Sequence, residues 1–370
     1  MSVALRLETV REAMRAHALD ALYVRTLSNI AWLTGFEHVF DSEQAHVLVV
    51  TEDACALHSD SRYAEALRAA QEGTPIGVDC ARKSHGTFLV EQLGALDVEH
   101  ARVGIEDSIS LAEFRGLERL AADQGFSLVE TAGLVEAKRE VKDAAEIERM
   151  RRAQKITDAA FARITEFMRV GMTEREVQLA LDRFMFDEGA EGLAFDTIVA
   201  TGAHAASPHA QPGETRLAAG DAVVMDFGAR WAGYCSDMTR TVFMGEPSDE
   251  VRRAWETLRR ANEECEAYVA AGVTGAAAHL LAEQVLADGG FGGRMGHSLG
   301  HSVGLDIHEG PNLSPSNTRE LVAGNVVTVE PGIYVPGKFG MRLEDFGVVT
   351  DEGYDVFTQS THDMVIIRGC

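Results

Sequence analysis

Positive charge is scarce in this sequence: 34 Lys and Arg stand against 58 Asp and Glu, a net charge of −24. A chain that grips nucleic-acid phosphates needs clustered Lys and Arg, so the balance argues against a nucleic-acid partner and against anionic membranes. Otherwise an acidic surface speaks only for solubility. Cysteine is also sparse. Cys55, Cys80, Cys235, Cys265 and Cys370 are odd in number, scattered and without a CxxC spacing. That leaves no disulfide framework and no thiolate zinc site, and it fits a reducing compartment. No apolar run reaches the ~18 residues of a membrane span. The N-terminal stretch carries Arg6, Glu8, Arg11 and Glu12, and so lacks the apolar core of a signal peptide. A cytoplasmic protein is the expectation.

What is present reads as a globular chain long enough for a sizeable core. Hydrophobic content of 46% and charged content of 25% are ordinary for a globular protein, and 370 residues suggest two domains at about 150 residues each. Residues 1 to about 130 alternate strand and helix patterns, which argues for an α/β domain. Strands are expected at 21–24, 45–50 and 102–105, and helices at 5–17, 60–72 and 111–124. The stretch Ser28 to Phe36, with Trp32 at its centre, reads as a short aromatic loop. Composition shifts to a charged run, Glu136 to Asp143, and we place the boundary there: an N-terminal domain over 1–132 and a second domain over 133–370. A long helix is expected from Ala144 to Val170, capped by Gly171, and Thr173 with Glu176 forms a capping-box pattern for the next helix. Strands follow at 196–202, 222–228 and 235–243. Helices are expected at 248–271 and 274–288, and the last strands at 326–334 and 341–350.

The stretch from Gly296 to Pro311 stands out. His297, His301 and His308 fall within twelve residues. Val303, Leu305 and Ile307 alternate between the last two histidines, as in a strand. Residues seven apart in a strand point to opposite faces, so one histidine must lie beyond a bend. Gly300 and Gly304 permit close backbone approach there. Any one of these histidines could be merely a hydrogen-bonded structural residue.

Four carboxylates decide against that reading for His301. Asp226, Asp237, Glu330 and Glu344 each lie inside a strand-like apolar segment, and a carboxylate buried unpaired is very costly. Arg240 and Arg342 could satisfy one or two of them. A metal site satisfies all four, and two divalent cations balance four negative charges. One imidazole among four carboxylates is an oxygen-rich set that suits manganese, cobalt or iron better than structural zinc. Two such ions about 3.5–4 Å apart lower the pKa of water between them and supply a nucleophile near neutral pH.

With these segments in order, the chain resembles the proline-specific branch of the pita-bread (M24) metallopeptidases, which includes aminopeptidase P and prolidase. The resemblance covers nearly the whole chain. It rests on Asp60-Ser61-Arg62-Tyr63, Ser207-Pro208-His209, Asp226-Phe227-Gly228, and Gly233-Tyr234-Cys235-Ser236-Asp237-Met238-Thr239-Arg240-Thr241. It continues through Gly300-His301-Ser302-Val303-Gly304, His308-Glu309-Gly310-Pro311, Thr328-Val329-Glu330-Pro331-Gly332-Ile333-Tyr334 and Arg342-Leu343-Glu344-Asp345. It implies an α/β (α+β) chain: a creatinase-like N-terminal domain followed by a pita-bread catalytic domain. It also implies that Asp226, Asp237, His301, Glu330 and Glu344 are the ligands of two divalent ions, most readily Mn2+, with Co2+, Fe2+ or Zn2+ as alternatives. Asp237 and Glu344 would bridge both ions, and Glu330 would carry a proton from the attacking water to the leaving nitrogen. His209 and His308 would hold substrate and stabilise the tetrahedral intermediate, His297 would take a supporting position, and Arg342 would orient carboxylates.

The implied activity is hydrolysis of the Xaa-Pro bond at the N-terminus of short peptides. That bond is a tertiary amide without an N–H, so a site reading it needs to accommodate a ring and protonate a ring nitrogen. Methionine aminopeptidases share the metal set but generally lack the N-terminal domain. Creatinase-type hydrolases lose several ligand carboxylates, and non-catalytic relatives have degraded ligand sets. The alternative within the branch is a prolidase restricted to dipeptides. Some prolidases of this size carry an arginine just after the His-Glu-x-Pro motif, where this chain has Asn312, with Arg319 further along. The expectation is therefore an Xaa-Pro aminopeptidase. Family members are commonly dimers or tetramers, so a homodimer is the smallest expected unit, with Trp32, Glu37 and His38 as candidates for bordering a neighbouring active site.

Overall fold

The computed structural model describes residues 1–41, 43–96 and 98–368. They form two compact units, Met1–Arg139 and Glu140–Cys370, and together give the mixed α/β architecture expected.

The first unit is built on a six-stranded sheet in the order Gly77–Asp79, Cys55–His58, Val47–Thr51, Ala21–Val24, Arg102–Glu106, Ser127–Thr131. The two central strands, Ala21–Val24 and Val47–Thr51, are buried at every position. That is why they read as continuous apolar runs rather than alternating ones. Tyr23 and Val49 share a core with Phe88 and Leu117 from the helices His85–Leu93 and Leu111–Gln124.

Two expectations for this unit change. The aromatic stretch is not a loop but a helix, Leu27–Thr34, ended by Gly35 in the left-handed conformation (φ 67°). Its Ile30, Trp32 and Leu33 are buried; eight residues are too few for a helical stripe to show in the sequence. The next helix starts at Ala64 rather than at Asp60, because the Asp60 carboxylate accepts the Arg62 N–H at 2.9 Å and holds a turn.

The second unit opens with the helix Ala144–Phe167 and the helix Glu174–Asp187, each with a complete capping box at its N-terminus, Asp143 with Glu146 and Thr173 with Glu176. The first of these ends at Phe167, short of Gly171, which sits in the following turn at φ 91°. The helices Asp249–Tyr268 and Gly275–Asp288 form a second pair. Ile156, Ile164, Val177 and Leu181 pack on Val223, Met225 and Val242 in one core. Leu258, Ala282 and Leu286 pack on Val327, Ile333 and Met341 in another.

The strands between these helices are shorter than the sequence suggests, and they break at informative places. The segment 326–334 divides into Val326–Val329 and Gly332–Val335, which belong to different sheets and are separated by Glu330 and Pro331. The segment 341–350 divides into Phe339–Arg342 and Asp345–Val349 around Leu343 and Glu344. Tyr234–Cys235 and Met238–Met244 are separated by Ser236 and Asp237. This last break needs Gly228 opposite, where a Cβ would stand only 2.0 Å from the Ser236 carbonyl oxygen. No helix among the described residues is long and apolar enough to cross a membrane.

Candidate metal centre

Asp226 projects from the strand Ala222–Phe227, which is paired on both sides, with Met238–Met244 and with Ile198–Thr201. Asp237, Glu330 and Glu344 project from the three strand breaks. His301 comes from the glycine-rich stretch, whose residues form isolated bridges rather than a strand: Ser302 pairs with Glu309 and with Val327. The Gly304 N–H donates to the Asp306 carbonyl at 3.0 Å, which closes the expected bend. The bend brings His308 back to His301, the two rings edge to face with centroids 4.5 Å apart.

All nine residues that the sequence singles out in this unit line one cavity of about 490 Å3: His209, Asp226, Asp237, His297, His301, His308, Glu330, Arg342 and Glu344. Phe195, Ile198, Pro208 and Ile307 give it an apolar wall. His209 and His308 are exposed at its mouth, whereas Asp226, Asp237, Glu344 and Arg342 are buried. Trp32 is not among the lining residues. It lies in the first unit, 3% exposed, with the Arg6 guanidinium over its ring at 5.1 Å and Arg6 Nη1 donating to its carbonyl at 2.9 Å.

The hydrogen bonds fix protons at named atoms. His301 Nδ1 lies 3.1 Å from the Ser302 carbonyl oxygen, which can only accept, so Nδ1 carries the hydrogen and Nε2 keeps its lone pair. That lone pair faces Asp237 Oδ2 at 3.6 Å and Glu330 Oε1 at 3.5 Å. Burial holds the imidazole neutral, pushing its pKa down to about 4. Three acceptors turned on one another repel unless a cation lies among them. Atoms of Asp237, His301 and Glu344 all fall within 4.8 Å of one another, as one ion requires.

The carboxylates give the same result. Burial, then the charges of Glu344, Asp226 and Glu330, push Asp237 well above the usual carboxylate range. Glu344 is pushed well up by burial and by Glu330 and Asp226. Burial raises Glu330 to about 8 and raises Asp226 as well, with Arg342 pulling the other way in both cases. Asp226 Oδ1 is buried without a hydrogen-bond partner. This donor set fits divalent cations: charge repulsion, an orphaned oxygen and a bare imidazole nitrogen all disappear when positive charge is present.

Arg342 answers part of the charge. It contacts Asp226 Oδ2 through Nη2, donates from Nε to Thr239 Oγ1 at 2.8 Å, and donates from Nη1 to the Tyr334 hydroxyl at 3.0 Å. Thr239 passes its own hydrogen to Glu344 Oε2 at 2.7 Å. His297 Nδ1 donates to the Ser298 carbonyl at 2.8 Å, so its Nε2 accepts from the Tyr334 hydroxyl at 3.1 Å. The chain Arg342–Tyr334–His297 is thus polarised in one direction. Thr239 and Tyr334 are functional neighbours that the sequence reading left without a role, although both stand in the motifs. In the sequence Lys142 belongs to the charged run Glu136 to Asp143. Its Nζ is buried, donating to Ser302 Oγ at 2.9 Å and to Glu309 Oε2 at 3.1 Å.

Comparison with known proteins gives the family of both units. The profile of metallopeptidase family M24 matches residues 148–351, and that of the creatinase/prolidase N-terminal domain matches residues 6–141. An uncharacterised peptidase of Bacillus subtilis, YqhT, is 34% identical over 98% of this chain and 100% of its own. Among solved structures, an Xaa-Pro dipeptidase from Bacillus anthracis superposes with a TM-score of 0.91 at 33% identity, covering 99% of this chain and 100% of its own. An X-Pro aminopeptidase from Thermotoga maritima superposes with a TM-score of 0.85 at 34% identity, covering 96% and 100%.

Proposed function

We propose that this chain, which belongs to metallopeptidase family M24, is an Xaa-Pro aminopeptidase that removes the first residue from short peptides with proline in second position. The observation that carries the choice over a dipeptidase is the shortage of free positive charge in the cavity. Arg342 is the one Lys or Arg among the lining residues, and its guanidinium is taken up by Asp226, Thr239 and Tyr334. Asn312, at the sequence position where the resemblance gives some prolidases an arginine, is uncharged and lines the cavity, and Arg319 is committed to Glu140 at 2.8 Å. The carboxylate of a dipeptide would meet no free cationic side chain in this lining, whereas a longer peptide carries that charge away from the site. The likeness to the Bacillus anthracis dipeptidase favours the second reading, a dipeptidase.

Asp226, Asp237, His301, Glu330 and Glu344 would hold two divalent ions, Mn2+ in our reading. When bound, the pair acts as a Lewis acid toward the scissile carbonyl and the attacking water. Glu330 takes the proton of that water and delivers it to the proline nitrogen as the C–N bond breaks. His209 and His308, exposed at the mouth, hold the substrate carbonyl and stabilise the tetrahedral oxygen. Arg342, Tyr334 and His297 keep Asp226 in place, and the apolar wall of Phe195, Ile198 and Ile307 receives the side chains. We read the protein as cytoplasmic and as a homodimer.

The test is a length series with metal-loaded enzyme. Xaa-Pro, Xaa-Pro-Yaa and longer peptides are compared by kcat/KM, and the tripeptides are expected to exceed the dipeptides. Dipeptides cleaved with longer peptides untouched would assign the dipeptidase instead.

A further inference from the structure

Lys142 lies at the start of the second unit, 5% exposed, and its backbone N–H is fixed to the Gly324 carbonyl at 2.8 Å. A lysine is rarely buried so deeply unless its ammonium is paired. Here the ammonium reaches two acceptors, Ser302 Oγ at 2.9 Å and Glu309 Oε2 at 3.1 Å. The Lys142 and Glu309 side chains are 2% and 8% exposed.

The two acceptors have a special place. Ser302 follows His301 and Glu309 follows His308. Between them the Glu309 N–H donates to the Ser302 carbonyl at 2.8 Å, and the Ser302 N–H donates back at 3.3 Å. One ammonium therefore clamps both ends of the loop 303–308, directly behind the two histidines. The Glu309 carboxylate is folded under that loop. Its Oε1 accepts the Asp306 N–H at 3.0 Å, and a Cβ on Gly304 would stand 2.5 Å from it. A glycine at 304 is what lets the carboxylate lie there. His308 itself is exposed, so its position relative to His301 depends on the backbone of this loop.

We propose that Lys142 is a positioning residue of the active site: its ammonium, acting through Glu309 and Ser302, sets the place of His308 over the metal-ligand cluster. The inference rests on the reading of His308 as a residue that holds the substrate carbonyl. A buried ion pair can often be exchanged for apolar side chains at little cost in stability. What an apolar pair cannot reproduce is the Glu309 carboxylate lodged under the loop, where it accepts the Asp306 N–H at 3.0 Å and holds the turn that leads into His308. A reacting geometry displaced by about 1 Å loses about 100-fold in rate.

The experiment compares Lys142→Met, Lys142→Arg and Ser302→Ala in the metal-loaded enzyme, with and without His308→Ala, measuring kcat, KM, bound metal and thermal midpoint. Lys142→Met is expected to lower kcat about 10- to 100-fold with KM within about twofold and both ions retained. Lys142→Arg, which keeps a buried cation, restores most of the loss. Ser302→Ala removes one acceptor and keeps the ion pair, so it gives a smaller loss of the same kind and reads the clamp even where Lys142→Met does not fold. In the His308→Ala background, Lys142→Met adds no more than about twofold, because residues that act as one unit are not additive. Wild-type kcat in Lys142→Met alongside an impaired His308→Ala overturns the inference alone. So does a loss that multiplies in full onto His308→Ala, or one that Lys142→Arg fails to relieve. Wild-type kcat in His308→Ala removes the reading of that histidine and this inference with it.

Discussion

His301 and His308 are seven residues apart in sequence, yet their rings meet edge to face with centroids 4.5 Å apart. A strand would have sent them to opposite faces. The bend at Gly304 to Asp306 reverses the second one, and the resulting pair has a half-buried member facing carboxylates and an exposed member facing the mouth of the cavity. The division of labour proposed above follows from that difference in exposure.

Removal of metal should abolish peptidase activity, and Mn2+ or Co2+ should restore it. Metal analysis of the reloaded protein should find about two ions per chain, the number that balances four carboxylates. Asp237→Asn and Glu344→Gln should each lower that content. Full turnover in a preparation shown to be free of metal would contradict the assignment.

The outer histidines should separate from the ligands in mutants. His209→Ala and His308→Ala are expected to lower kcat about 10²- to 10⁴-fold while metal content is kept. Glu330→Gln should lower both. Kinetics alongside metal analysis of the three variants checks this, and unchanged rates in both histidine variants would mean that other residues hold the carbonyl.

The metal-free protein should lose stability as pH rises. Burial holds Glu330 at about 8, far above the ordinary 4.5, and Asp237 and Glu344 are raised in the same direction. Between those values the folded state keeps protons that the unfolded chain has released, so unfolding free energy falls with increasing pH and the loss is complete above the raised value. Histidine titration complicates the lower part, so the clean window runs from about pH 6.5 to about 8. Thermal midpoints of the chelated protein should fall across it. Calorimetry in buffers of different ionisation enthalpy should show proton release on metal uptake. A flat or rising midpoint in the chelated protein would disprove the carboxylate argument.

Trp32 discriminates packing from substrate contact. Its burial under Arg6 predicts that Trp32→Ala costs about 3–5 kcal/mol of stability and leaves metal content unchanged. Denaturant unfolding measures the first and metal analysis the second. An unchanged unfolding midpoint with an altered kcat/KM for peptides would place the ring at a substrate path instead, as its sequence context suggested.

The carboxylates were legible in the sequence because an acid within an apolar strand pattern needs an explanation, and only one explanation covers four of them. The strand breaks were not. Val326 to Tyr334 reads as one continuous run, and nothing local says that its two halves join different sheets; tertiary pairing decides that. The helix around Trp32 was hidden by its shortness. Lys142 was hidden by its neighbours, since a lysine in the run Glu136 to Asp143 has the signature of a solvated face, and its burial depends on Ser302 and Glu309, which lie 160 or more positions away.

Three of the four acids stand where ladders stop. Asp237, Glu330 and Glu344 each lie between strands that belong to two different sheets. Inside a ladder a shift of one residue turns every side chain to the other face, and Asp226 alone bears that constraint. For the other three the aim of the acid is set by a joint of two residues rather than by the sheet. Exchanges at Ser236, Pro331 or Leu343 are therefore expected to move the acids relative to one another, and with them the choice among divalent ions. Laboratory selection for a different metal would find its adaptive substitutions at those joints before it found them in the strands.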